Sequence, residues 1–138
     1  MSAIVLKEYK EYKPLEVLAL YKSVYWSLYV NDPDKLKKSY DNSLYTVGAY
    51  IDDQLVGMVR VLGDGVTIVF FQDVLVHSDY QRQGIGTLLM KHVLDKYKHV
   101  RQKALITDDS IFQKTFYQSV GLKPIQETKG ICFVKYTI

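Results

Sequence analysis

Six residues in the middle of the chain, Gln81-Arg82-Gln83-Gly84-Ile85-Gly86, have the composition of an anion-binding turn. An apolar strand-like run ending Val74-Leu75-Val76 precedes them. A helical pattern follows at once, with Ile85, Leu89, Val93 and Tyr97 recurring every four residues. Gly84 and Gly86 carry no Cβ, so the backbone there can bend and approach a ligand closely. A helix starting directly behind such a turn aims its unsatisfied N–H groups and the positive end of its dipole at it. That combination suits phosphates. Two common phosphate motifs do not fit. A dinucleotide fingerprint needs a third glycine where Leu89 stands and an acidic residue further on. A P-loop needs Gly-Lys-Ser/Thr, and the chain offers Gly86-Thr87-Leu88.

The elements that must position this turn can be read along the chain. Ile4, Val5 and Leu6 mark a first strand over Ala3–Tyr9. Val17, Leu20, Tyr21, Val24 and Leu28 follow helical spacing and predict one helix over about residues 15–29. Asn31-Asp32-Pro33 stops and restarts the chain. Asp32 can cap and Pro33 fits a first helical position, so a second helix should run to about Ser43, buried through Leu36 and Tyr40. A hairpin is expected from Leu44–Ile51 through Asp52-Asp53-Gln54 into Leu55–Leu62. Gly63-Asp64-Gly65 turns the chain into a long central strand, Val66–His77. After the central helix comes a short buried strand, Ala104–Thr107. Ser110-x-x-Gln113 is a capping box for a further helix with Phe112, Phe116 and Val120 on one stripe. Gly121 and Pro124 end it. Two closing strands are expected, about Lys123–Thr128 and Ile131–Thr137. The order is β-α-α-β-β-β-α-β-α-β-β, an α+β class with a mixed, mostly antiparallel central sheet flanked by about four helices and one parallel crossover.

Bulk properties bound the function. At 138 residues, 48% hydrophobic and 24% charged, the chain suits one globular domain spanning residues 1–138. No apolar run reaches membrane-spanning length, and the N-terminus shows no secretory signal. Cys132 is the only cysteine, which excludes an intrachain disulfide and fits a reducing cytoplasm. A net charge of +3 is too small to argue for nucleic acid, yet it favours a polyanionic small molecule. His77, His92 and His99 show no ligand spacing with acidic residues, so no metal site is expected.

The run Gln81-x-x-Gly84-x-Gly86, between that strand and that amphipathic helix, resembles the acetyl-CoA pyrophosphate loop of the GCN5-related N-acetyltransferases (GNAT). Phe116-Tyr117-x-x-x-Gly121-Leu122 resembles the same family's Phe-Tyr-x-x-x-Gly-Phe signature. The element order is similar over nearly the whole chain, which implies the acyl-CoA N-acyltransferase fold. The resemblance implies an enzyme that moves acetyl from acetyl-CoA to a primary amine by direct attack in a ternary complex. It assigns the pantetheine arm to backbone groups of Val74, Leu75 and Val76, paired like an added strand. It assigns the pyrophosphate to the loop backbone through Arg82, Gln83, Gly84, Ile85, Gly86 and Thr87, with Arg82 able to add a charge contact. Tyr117 is the match for the general acid that protonates the departing thiolate.

The general base has no clear match. Relatives place a glutamate or histidines where this chain has Phe70 and Gln72, and neither can take a proton at neutral pH. By alternation, residues 70, 72, 74 and 76 share a face and Asp73 points to the other, unless a bulge re-aims it. Gln72 is therefore a water-positioning candidate, and Asp73 a weaker option. Tyr25, Trp26 and Tyr29, near the end of the first helix, and Phe70 are candidates for the amine pocket, where aromatic rings could receive a flat or cationic amine. A non-catalytic acyl-CoA-binding module on the same fold is the alternative, supported by the missing base and opposed by Tyr117. The acceptor, the acyl preference and the oligomeric state stay open at this level, with a homodimer among the options. Neither nucleic acid nor a membrane is an expected partner.

Overall fold

A computed structural model describes residues 3–137. The described chain divides after Ile106 into two compact units. The first unit holds a five-stranded sheet in the order β1-β2-β3-β4-β5: β1 Val5–Glu8, β2 Tyr45–Ile51, β3 Gln54–Gly63, β4 Ile68–Val76 and β5 Gln102–Ala104. β1 to β4 pair antiparallel and β5 lies parallel to β4. The helices of this unit are α1 Pro14–Ser23, α2 Ser27–Val30, α3 Pro33–Asp41 and α4 Ile85–Lys96.

Local chemistry explains most boundaries. Asp32 caps α3 by accepting from Lys35 N at 3.2 Å, and Pro33 occupies the first turn. Asp52 and Asp53 both take positive φ (49° and 65°), the backbone a two-residue hairpin needs. The long first helix expected from apolar spacing is instead two. The chain breaks after Ser23, where Tyr25 sits in the left-handed region at φ 63°, and restarts at Ser27. Trp26 N donates to Tyr21 O and Ser27 N to Tyr25 O, so the corner satisfies its own backbone. Val24 of the expected stripe still packs against the core, as do Trp26 and Tyr29 past the corner, but Leu28 at the end of the stripe is exposed.

Each sheet face carries its own layer. On one side Val17, Leu20 and Tyr21 of α1 and Leu36 and Tyr40 of α3 close over Leu55, Met58 and Leu75. On the other, Ile85, Leu89, Met90 and Val93 of α4 are buried. Gly57 lets α4 come close: a Cβ there would lie 3.0 Å from Leu89 Cδ1 and 3.1 Å from Ile85 Cγ2. No helix among the described residues is long and apolar enough to cross a membrane.

The second unit contains α5, Ile111–Ser119, capped as its sequence indicates by Ser110 accepting from Gln113 N at 3.2 Å. The two closing strands do not form. Residues Ile125–Thr128 make a 3₁₀ turn and residues 131–137 have no regular structure. The alternating apolar residues Ile131 and Phe133 are exposed there, so the pattern that signalled a strand lacks a ladder to join. Among the described residues there are thus five strands and five α-helices, against seven and four expected.

Tyrosines set the alkaline limit of this fold. Burial, then the neighbouring Tyr40 and Asp73, push the Tyr21 phenol well up, and burial does the same to Tyr40. The unfolded chain ionises both near pH 10, while the folded one holds their protons. Stability is therefore whole below about pH 10 and lost above it, by about 3 kcal/mol per pH unit for the two residues together. Urea unfolding midpoints should stay level from pH 7 to about 9.5 and fall steeply beyond; a level midpoint to pH 11 would contradict this account.

Candidate active site

β4 ends at Val76 and the chain makes one 3₁₀ turn, Ser78–Tyr80, before the glycine loop. Gln81 Nε2 donates to Val76 O at 3.0 Å, which ties the loop back to the strand end. Gln81 belongs to the motif, but sequence reasoning gave it no role; an amide three residues before the first glycine was the signal. Arg82 and Gly84 are both left-handed, at φ 65° and 85°. No atom lies within 4 Å of where a Gly84 Cβ would stand, so the loop is open on that side. Gly84 is the N-cap of α4 and offers no side-chain cap. The first N–H groups of the helix, at Ile85, Gly86 and Thr87, are thus left for a ligand or water. Arg82 and Gln83 are exposed, and Thr87 is half-buried. These residues fit a pyrophosphate: open backbone, a helix N-terminus and one free guanidinium.

The strand leading into the loop is open as well. β5 pairs with β4 only through Ile68, Val69 and Phe70. From Phe71 to Val76, including Val74, Leu75 and Val76, no strand among the described residues pairs with β4 on the side away from β3. An extended arm could add there as a strand.

Inside β4 lies the feature that alternation misses. Arg60 pairs with Asp73 but Val61 pairs with Phe71, which leaves Gln72 as an unpaired extra residue, a β-bulge. The bulge divides the face expected to hold residues 70, 72, 74 and 76. Val74 and Val76 pair with Val59 and Gly57 on the α4 side, Phe70 falls on the α1–α3 side, and Gln72 is exposed between them. Asp73 is turned toward α1, α2 and α3.

There Asp73 is only 2% exposed and its oxygens are fully engaged. Arg60 Nε donates to Oδ2 at 2.7 Å and Tyr21 Oη to the same oxygen at 2.8 Å. Tyr29 Oη donates to Oδ1 at 2.9 Å. Since Tyr21 has one proton and gives it to Asp73, the 2.8 Å contact between Tyr21 and Tyr40 must be a donation from Tyr40. Burial alone would lower the Arg60 pKa, but the Asp73 charge and hydrogen bond outweigh it and hold the guanidinium charged. A carboxylate so enclosed is badly placed to collect a proton from a substrate directly. Burial, then the Asp73 charge, pushes the Tyr29 phenol up, and the neighbouring Gln72 side chain opposes that shift.

The structure thus groups Trp26, Tyr29, Gln72 and Asp73 at one corner of the sheet, with Tyr21 in edge contact with both Trp26 and Tyr29 at 5.7 and 5.2 Å between ring centres. Tyr25 is turned outward at 89% exposure, beside Leu28 at 90%. Tyr117 stands in the second unit on α5, half-buried, its ring edge-on to Phe116 at 4.9 Å. Burial pushes its phenol up to about 12.

Residues 8–138 match the family described as "Acetyltransferase (GNAT) domain". This chain belongs to the GNAT acetyltransferase family. A GNAT acetyltransferase from Streptococcus pneumoniae superposes with a TM-score of 0.87 at 32% identity, over 98% of both chains. An uncharacterised N-acetyltransferase, ycf52-like, from Prochlorococcus marinus is 36% identical over 78% of this chain and 61% of its own length. This GNAT chain therefore spans less than two thirds of that curated relative. A GNAT acetyltransferase from Elizabethkingia anophelis, solved with acetyl-CoA bound, shares the fold with a TM-score of 0.66 at 22% identity, over 86% of this chain and 74% of its own.

Breaking the buried pair should be costly. Asp73→Asn leaves the Arg60 charge uncompensated in the sheet, and thermal or urea unfolding should register a loss of about 3–5 kcal/mol. A loss under about 1 kcal/mol would mean that the pair is solvated rather than enclosed.

Proposed function

We propose that this GNAT domain transfers the acetyl group of acetyl-CoA to a primary amine by direct attack in a ternary complex. The observation that carries this reading is the open edge of β4 running straight into an uncapped helix N-terminus behind Gly84. That geometry suits an extended arm joined to a pyrophosphate, and the Elizabethkingia relative that shares the fold holds acetyl-CoA. Backbone groups of Val74, Leu75 and Val76 would take the arm, and the backbone from Arg82 to Thr87 the phosphates.

In the reaction the amine nitrogen attacks the thioester carbonyl, the C–S bond breaks, the nitrogen sheds one proton to water, and the sulfur leaves as a thiolate that takes one up. Polarising the carbonyl falls to a backbone N–H at or beside Val74. The proton is assigned to Tyr117. Its burial keeps it protonated throughout the neutral and mildly alkaline range. A phenol near 12 is a weaker acid than a thiol near 8.5, so it acts by donating its hydrogen bond and sharing the proton as the bond breaks, not by prior transfer. No metal enters this scheme, and a lone exposed cysteine suits a reducing cytoplasm.

A non-catalytic acyl-CoA-binding role has one observation in its favour. Phe70 and Gln72 stand where a base would be, and Asp73 is fully hydrogen-bonded. Thiol release from acetyl-CoA, followed with a thiol-reactive dye, separates the two. The amines would be 2-phenylethylamine, spermidine, kanamycin, glycine and a peptide with a free N-terminus. Amine-dependent release should appear with at least one of them, and Tyr117→Phe should lower turnover by roughly 10²-fold with little change in acetyl-CoA affinity. Coenzyme binding without release on any amine favours the binding module, and unchanged turnover in the variant removes Tyr117 from the mechanism.

A further inference from the structure

The buried cluster around Asp73 does more than close the sheet. Its charges cancel inside the fold, and all but one of its hydroxyls are spoken for there. Tyr40 donates to Tyr21, and Tyr21 donates to Asp73. Tyr29 is the exception in position. Its hydroxyl gives its single proton to Asp73 Oδ1, and its ring is held edge-on by Tyr21. Yet the residue is only half-buried, and exposed Gln72, next to Asp73 in the chain, is near enough to oppose the burial that raises the Tyr29 phenol. The Tyr29 oxygen therefore lies at the boundary where the cluster meets the outside.

With its proton committed inward, Tyr29 presents outward only as an acceptor. Arg60 Nη2 approaches that oxygen at 3.4 Å, the outer limit of a hydrogen bond, and so leaves most of its accepting capacity unused. Gln72 stands on the bulge, the one position of β4 with no cross-strand partner to fix it. An amide is two-sided: turned one way it donates to Tyr29, turned the other it offers a carbonyl oxygen beside it. A primary amine has at least two N–H bonds to place, and here two adjacent acceptors become available to it.

We propose that the Tyr29 hydroxyl oxygen and the Gln72 amide carbonyl form an uncharged two-point seat for the acceptor's primary amine, with Asp73 and Arg60 as the positioning residues that hold the Tyr29 hydroxyl in one orientation. The inference rests on the acetyltransferase reading and goes beyond it by naming where the amine docks. It also bears on the missing base. A free carboxylate would hold the amine as an ammonium ion, which cannot attack. Two neutral acceptors, backed by an ion pair whose charges cancel, give the cation no such advantage and accept the free amine.

Tyr29→Phe removes one acceptor and leaves the ring. With whichever amine the wild type acetylates fastest, acceptor kcat/KM should fall about tenfold or more. Acetyl-CoA affinity should stay at its wild-type value, while Tm falls modestly because buried Asp73 Oδ1 loses a donor. Gln72→Ala, at an exposed position, should act in the same direction, and acceptor KM for the wild type should change less than about twofold between 0.05 and 0.5 M NaCl. Gln72→Glu places a charge in the seat and should make that KM salt-dependent. Equal acceptor kcat/KM in wild type and Tyr29→Phe overturns the seat, as does a fall matched by an equal loss in coenzyme affinity. Should the wild type acetylate none of the amines, the same amines are titrated calorimetrically into the CoA-loaded protein. Binding weakened by Tyr29→Phe then keeps the seat and sinks only the transferase; no binding of any amine overturns the seat itself.

Discussion

An ion pair inside a β-sheet must satisfy every oxygen and every N–H it carries, because water is not there to do so. Arg60 and Asp73 meet that demand by recruiting donors and acceptors from every layer on their side: Tyr21 from α1, Tyr29 from α2 and, through Tyr21, Tyr40 from α3. The pair can form only because one extra residue in β4 turns Asp73 to the face that Arg60 occupies. Three helices with little else in common are thus registered against one carboxylate. The same bulge pushes Gln72 outward. One irregularity in one strand sets both the buried network and the outward place of Gln72 beside it.

The glycine-loop end of β4 is governed by a different constraint. Among the described residues β4 pairs with β3 from Val69 to Val76 apart from the bulged Gln72, and with β5 along three residues only. Unpaired backbone of this kind is a liability unless something is meant to lie there. Its continuation into Gly84 and the bare start of α4 makes the liability a continuous polar track. Gly57 matters to that track from a distance: it lets α4 sit against β3, so the helix N-terminus comes to the strand end instead of standing off by the width of a methyl group.

The glycine loop and α4 were legible in the sequence because their signals are local: two glycines, an apolar stripe of period four, and no competing motif. The caps at Asp32 and Ser110 were legible for the same reason. The break at Tyr25 was not, since apolar spacing continues across it and no glycine or proline marks it. The facing of Asp73 was not legible either. A bulge shifts alternation by one, and nothing in Phe70-Phe71-Gln72-Asp73 announces it; only the Arg60 partner, thirteen residues away in sequence, makes it worthwhile. Residues 131–137 failed in the opposite sense. Their alternation is that of a strand, but a strand is a relation to a neighbouring chain segment, and periodicity alone does not supply one.

The corner between α1 and α2 has a consequence for how such a domain can diversify. Its backbone bonds close among residues 21 to 31, and its outermost side chains, Tyr25 and Leu28, touch solvent over nearly all of their surface. Those two positions are insulated from the stability of the sheet below. Substitutions at this rim can therefore change the outer surface of the corner one residue at a time while the tyrosine network beneath stays intact, which turns a local kink into a boundary between a fixed interior and a changeable exterior.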